Sequence, residues 1–393
     1  MNLHLTKEEA ERVLEIKRDL HMHPELSHEE FETTRKIREV LGGLPGIELL
    51  ELPDTSVVKT GVVARLVGGK PGAEVGLRAD IDALPQTEAY ESPYKSVCPG
   101  KMHGCGHDFH TASLLGAAMI LSRNRAEVPG IVDFLFQEAE ETTNGCKEMV
   151  DAGLFDIIHP RYFFGMHNRP EVPTGQVVIQ PGGLMSAKTN FVITVRGKGG
   201  HGAMPHLCID PIVCAAAMVQ SLQTIVSRNV DPMENAILTI GSINGGSVEN
   251  LIVDSVRMTG CVRSLSQKTK DMQVSRLEEI VYNTARAYQC TAEIEYKEIL
   301  PVAYNTPEMT EIAHKAAAAV AGEENCVHAV PTLASEDFAI IMDKIPSYLY
   351  WVGSGTEGEP LYAWHNPMFH ANDGGLPVGA AVYASSAVTA NSL

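Results

Sequence analysis

The apolar positions of the chain recur with two different periods. Near the start, Val13, Leu14, Ile16 and Leu20 fall close to helical spacing, which predicts a helix that Pro24 stops. Ser27 with Glu30 three positions on predicts a capping box opening a second helix through SHEEFETTRKIREVL, ended by Gly42-Gly43. Short apolar runs at 61–67, 75–79, 131–137 and 162–166 read as strands, with helices expected at 110–123 and 145–155. Strands alternating with helices imply an α/β layered domain.

From about residue 184 the texture changes. NFVITVRGKGG is β-type, a long helix is expected at about 209–228, and ENAILTIGSI and SVRMTGCVRSL follow as strands. A second long helix at about 267–289 and the strand-like CTAEIEYK complete a β-α-β-β-α-β order, the ferredoxin-like split pattern. After 299 the helix–strand–helix texture returns. The expected organisation is a discontinuous α/β domain, 1–183 and 299–393, carrying an inserted α+β domain at 184–298.

Composition narrows the partners. At 393 residues two domains are the natural expectation. The formal net charge of −18 argues against nucleic acid and against anionic membranes, both of which attract basic surfaces. The first residues, MNLHLTKEEAERVLEIKRDL, lack the apolar core of a signal peptide, and no apolar run approaches a membrane span. The eight cysteines form no CxxC pair. A reducing cytoplasm is the expected location.

Candidate chemistry collects where apolar runs end. In KMHGCGHDFHTA, a thiolate at Cys105 and an imidazole at His107 flank a glycine on a loop, where both can face one cation. In FLFQEAEETTNG an apolar strand ends in Glu138, Glu140 and Glu141. Adjacent carboxylates repel, so a site holding cations would need them, although a solvated loop would tolerate them. His167 directly follows a buried run, and YAWHNPMFHAND offers His365 or His370. Asp80 and Asp82 follow a strand, where either can orient a ligating imidazole or cap a turn. In GKGGHGAMPH, Gly199-Gly200 presents His201 on a loop of the inserted domain. Each signal alone is as readily structural as functional.

The order of these motifs is more specific than any one of them. From LHMHPELSHEE through LRADIDALP, HGCGHDFHTA, FQEAEE, GMHNRP, GKGGHGAMPH and ASEDFA to HNPMF and GLPVGA, the chain resembles the metalloaminoacylase family of hippurate hydrolases, N-acetyl-diaminopimelate deacetylases and plant auxin-conjugate hydrolases. The resemblance implies a zinc-peptidase-like catalytic domain with two divalent metals and an inserted lid domain that mediates homo-oligomers, commonly dimers. It assigns Cys105, His107, Glu141, His167 and His365 as metal ligands, with His365 preferred to His370. It assigns Glu140 as general base, His201 as the lid histidine that reaches substrate, and Asn250 and Arg263 as substrate-binding residues of the lid.

The implied reaction is hydrolysis of the amide bond of an N-acyl-amino acid by a metal-activated water. Zinc or manganese is the first expectation, with cobalt or nickel also compatible with the mixed donors. A metallo-dipeptidase or carboxypeptidase, and a non-catalytic binding relative, are the alternatives. The chain departs from the family pattern at Glu138, where proline is usual, which is expected to place a third carboxylate beside the site. Thr142-Thr143-Asn144, Phe369-His370-Ala371 and Gly202 also depart, without removing an assigned ligand.

Overall fold

A computed structural model describes residues 1–392. The chain forms two compact units: Met1–Gly182 with Tyr304–Val330 and Asp337–Leu393, and Gly183–Ala303 with Pro331–Glu336.

The first unit is built on an eight-stranded sheet. Its strands lie in the order Ile47–Leu50, Val62–Val67, Pro129–Gln137, Lys70–Asp80, Tyr162–Pro173, Ser347–Gly355, Val177–Val178 and Cys326–Val327. The four central strands run parallel to one another. Their residues are buried almost without alternation, as expected when both faces of a sheet are covered.

Helix His107–Arg123 is buried over nearly its whole length and packs against helices Lys7–Met22 and Leu376–Asn391. A helix apolar on all sides has no face to offer water, so it sits inside the unit. Helix Lys7–Met22 is amphipathic instead. It buries Val13, Ile16 and Leu20 and starts with a reciprocal capping box between Thr6 and Glu9.

Three local expectations fail for identifiable reasons. The second helix starts at Phe31 with no side-chain cap, because Ser27 gives its hydroxyl to Asp82 and Glu30 is drawn into the interior. The helix expected at 145–155 breaks at Gly153, whose φ of 95° lies in the left-handed region. The helix expected from 110 begins at His107, immediately after Gly106.

The second unit carries a four-stranded antiparallel sheet in the order Ala236–Asn244, Ser255–Ser264, Ala187–Arg196, Thr291–Leu300. Helices Pro211–Leu222 and Gln267–Ala287 pack on it around Phe191, Ile193, Met218, Met258, Leu277 and Val281. This is the strand order of the split β-α-β plan. The compact unit extends to Ala303 and takes in Pro331–Glu336, beyond the 184–298 read from texture.

Candidate metal centre

The first unit's donors gather near the carboxyl ends of its parallel strands, where open α/β sheets place their ligands. Strand Lys70–Asp80 delivers Asp80 and, two residues on, Asp82 to the same side. Gln137 ends the neighbouring strand, and a short turn, Glu140–Thr142, follows it. His167 lies within Tyr162–Pro173, paired in register with Trp351.

Gly106 makes the approach to the buried helix possible. Its φ is 89°, and a Cβ there would meet Asn168 Nδ2 at 2.3 Å. Asn168 in turn donates to the Cys105 carbonyl at 2.5 Å, which fixes the thiol's backbone. His107 and His110 then share one face of the first helical turn. Each takes one aspartate: His107 Nδ1 meets Asp82 Oδ1 at 3.0 Å, and His110 Nδ1 meets Asp80 Oδ1 at 2.6 Å.

These second contacts determine which atoms are left open. His110 Nε2 accepts the Asn168 N–H at 2.8 Å, so both its nitrogens are engaged. His107 Nε2 is buried with no hydrogen-bond partner among the described residues, and so is Glu141 Oε1, 3.9 Å away. His167 donates from Nδ1 to the Asn168 carbonyl at 2.8 Å, which leaves the Nε2 lone pair facing Cys105 Sγ at 3.4 Å. Glu141 is anchored by its N–H to Asp82 Oδ2 at 3.0 Å, and its Oε2 lies 3.4 Å from His365 Nε2. His365 has a φ of 63° and is tied by its N–H to the Gly104 carbonyl at 2.8 Å.

Among the donor sets whose ligating atoms lie within 4.8 Å of one another are Cys105–His107–His167, Cys105–Glu141–His365 and His107–Glu140–Glu141. Cys105 belongs to the first two. Glu140 is buried beside them, with Oε2 4.0 Å from His107 Nε2. Unpartnered buried nitrogen and oxygen beside a thiol fit a pair of divalent cations better than they fit a packed interior, where such atoms are costly.

Proton affinities in the cluster follow from burial and near charges. Burial, and then the Glu141 carboxylate, push the Cys105 thiol well up. Burial opposes a charge on His107, but Asp80 and the Asp82 hydrogen bond outweigh it and raise its affinity. Burial and neighbouring His110 push His167 well down. A cation must displace the protons on Cys105 and His107.

Behind the donors sits a supporting layer that the motif reading left unassigned. His21 bridges Asp108 Oδ2 at 2.8 Å and Glu88 Oε1 at 3.1 Å. Burial opposes its charge, but the Asp108 charge and the two carboxylate contacts outweigh it and raise its affinity. Arg78 pairs with Asp80 and Asp337 at 3.0 Å each, all three buried. His21 and Asp337 lie in LHMHPELSHEE and ASEDFA, so motif membership was the available signal, without a role.

Two departures from the family pattern fall away from the cluster. His370 stacks on Tyr90 with ring centroids 3.8 Å apart and faces Glu359, leaving His365 at the donors. Glu138 is not a third carboxylate beside the site. Ala139 is left-handed, with φ 52°, and the Glu138 carboxylate accepts from the Thr60 N–H at 3.1 Å and from its hydroxyl.

In the second unit, His201 pairs with Leu251, and the Gly202 N–H donates to the Asn250 carbonyl at 2.8 Å, so His201 and Asn250 are neighbours. His201 is exposed and its Nδ1 accepts only from its own loop, at Ala203 N. Arg263 Nη1 donates to the Leu333 carbonyl at 2.8 Å and to Ser335 Oγ at 3.1 Å.

A buried mixed N/O/S donor cluster with an adjacent carboxylate has the make-up of a metal-dependent hydrolase. Residues 76–389 match the model of Peptidase family M20/M25/M40, and the chain belongs to that family. An N-acetylcysteine deacetylase of Bacillus subtilis (strain 168) is 38% identical over 96% of this chain and 96% of its own length. An N-acetyldiaminopimelate deacetylase of Geobacillus sp. (strain WCH70) is 36% identical over 93% of this chain and 94% of its own. A crystal structure of a Bacillus subtilis protein described as a dinuclear metal binding peptidase from the M20 family superposes with a TM-score of 0.84, at 35% identity over 97% of this chain and 98% of that one. The described residues include no helix long and apolar enough to cross a membrane.

Proposed function

We propose that the chain hydrolyses the amide bond of N-acyl-amino acids, with Cys105, His107, Glu141, His167 and His365 holding two divalent ions, zinc or manganese. The carrying observation is the open buried pair, His107 Nε2 and Glu141 Oε1, 3.9 Å apart. The similarity to deacetylases along almost the whole chain supports the substrate class. Cys105 belongs to two of the donor sets, so its thiolate would help hold the ions.

When bound, the metal pair supplies Lewis acidity that polarises the scissile carbonyl and acidifies water. Glu140 then takes a proton at its carboxylate and returns it to the departing amine nitrogen. It stands beside the donors, on the turn it shares with Glu141, with Oε2 4.0 Å from His107 Nε2. Asp82 holds His107 with Nε2 outward, and the Asn168 carbonyl does the same for His167. His201 stabilises the oxyanion, and Asn250 beside it binds substrate. Arg263, with Nη1 bonded to the Leu333 carbonyl and Ser335 Oγ, is a further substrate-binding residue of the second unit.

The enzyme works in the cytoplasm as a homodimer formed through the second unit. All eight cysteines are free, and Ile237, Ile243, Val248 and Leu251 of that unit are exposed together with Ile212 and Val213. Light scattering of the purified protein checks the dimer.

The test of the reaction is Glu140→Gln assayed on N-acetyl-, N-benzoyl- and longer N-acyl-amino acids alongside dipeptides. Metal content should hold while kcat falls about 10²–10⁴-fold. Turnover within a few-fold of wild type removes Glu140 as the base, and faster release from dipeptides replaces the substrate class.

A further inference from the structure

The side chain that left the catalytic cluster marks a second place of the same design. Glu138 is 1% exposed. Its Oε2 is anchored by the Thr60 N–H and hydroxyl, while its Oε1 is buried with no hydrogen-bond partner among the described residues. Glu148, on helix Gly145–Asp151, likewise has a buried Oε2 without a hydrogen bond, and His28 Nδ1 lies 3.5 Å from it. The ligating atoms of His28, Glu138 and Glu148 lie within 4.8 Å of one another. As at Glu141 in the catalytic cluster, a buried carboxylate oxygen lacks a hydrogen bond in a group that includes an imidazole.

The charges around it do not close. Glu30, fully buried, accepts the same Thr60 hydroxyl at 2.9 Å and the Ala139 N–H at 2.8 Å. Glu138 and Glu148 thus stand beside one imidazole, and no lysine or arginine among the described residues pairs with either. Thr60 has one hydroxyl proton for two carboxylates. Buried carboxylates without a cation are expensive. A divalent ion would meet the open oxygens of Glu138 and Glu148 together.

We propose that His28, Glu138 and Glu148 form a third divalent-cation site, separate from the catalytic pair. One imidazole with two carboxylates suits a borderline ion such as zinc, manganese or cobalt, and is too poor in oxygen for calcium, which takes 6–8 oxygen ligands. The anchoring of Glu138 by Thr60 supplies the outer hydrogen bonds that orient a ligating carboxylate. The site ties the His28 turn to Glu138, just past strand Pro129–Gln137 and two residues before Glu140. Its ion positions the turn that carries Glu140 and Glu141 rather than touching substrate.

Cobalt distinguishes this site from the catalytic one, because Cys105 is not among its donors. Untagged protein is stripped, loaded with Co²⁺, dialysed and analysed for cobalt per chain and for thiolate-to-cobalt absorption. Wild type should hold one equivalent more than His28→Ala or Glu148→Gln, with the thiolate band equal in all three. Both changes are at partly exposed side chains, so the fold is preserved. Equal cobalt in wild type and variants overturns the third site. So does a lost equivalent that takes the thiolate band with it, since that ion belonged to the Cys105 cluster. Failure of the proposed hydrolysis leaves the cobalt difference readable.

Discussion

The donors of the first unit and the histidine loop of the second are built by opposite rules. His107 and His167 are buried, each with its second ring nitrogen already spent on Asp82 or the Asn168 carbonyl. His201 is exposed and sits on a two-residue strand, and its side chain accepts only from its own loop. Rigid, doubly bonded side chains suit metal ligation, where the geometry must exist before the ion arrives. An exposed loop histidine suits a contact made late, when charge develops on a substrate oxygen. The difference separates what a substitution in each region should cost.

The sharpest separation comes from His201→Ala. Loss of one oxyanion donor should lower kcat about 10²–10³-fold. Metal content by elemental analysis should stay at the wild-type value. A variant that loses metal along with activity would place His201 among the ligands and erase the contrast between the regions.

Asp82→Ala probes the other side with a smaller expected effect. Asp82 touches no open donor atom itself, yet it orients His107 through Oδ1 and receives the Glu141 N–H at Oδ2. Removing such an orienting group should weaken metal affinity about 10–100-fold. Competition with a chelator reads this directly, and excess metal should restore most of the turnover. Activity that stays lost at saturating metal would mean Asp82 acts on the reaction and not on the ligands.

How far the sequence carried this picture depended on which atoms had to be known. Apolar runs located the central strands and the buried helix, because burial on both faces leaves a continuous apolar stretch. Motif order drew Cys105, His107, Glu141, His167 and His365 together, and they do converge. Spacing left Asp80 and Asp82 equivalent, since both follow one strand. The choice was made by the helix starting at His107, which sets His107 and His110 three apart on one face and gives each an aspartate. Glu138 misled for a related reason. Adjacent letters suggest adjacent carboxylates, but the left-handed Ala139 turns the backbone between Glu138 and Glu140. The capping box at Ser27 needed a free Glu30, and burial had already taken it.

That buried Glu30 yields the smallest predicted effect and the most specific one. Burial, together with the Asp82 charge, raises its carboxyl from 4.5 to about 7. A carboxyl that holds its proton more tightly when folded stabilises the fold below its unfolded value. That contribution is lost as pH rises through about 7. Glu30→Gln removes the ionisation and keeps an oxygen for the Ala139 N–H. Its amide can also donate to the Thr60 hydroxyl oxygen, which frees the hydroxyl proton for Glu138. In metal-stripped protein the variant should therefore melt higher than wild type at pH 8, by roughly 1–3 °C, with the gain vanishing towards pH 5. Calorimetry across that range checks both the sign and the slope. A lower melting temperature at pH 8 would mean that the ionised Glu30 is itself stabilising. The carboxylates around Thr60 would then need no added cation, and the resemblance between this cluster and the catalytic one would rest on the open Glu138 oxygen alone.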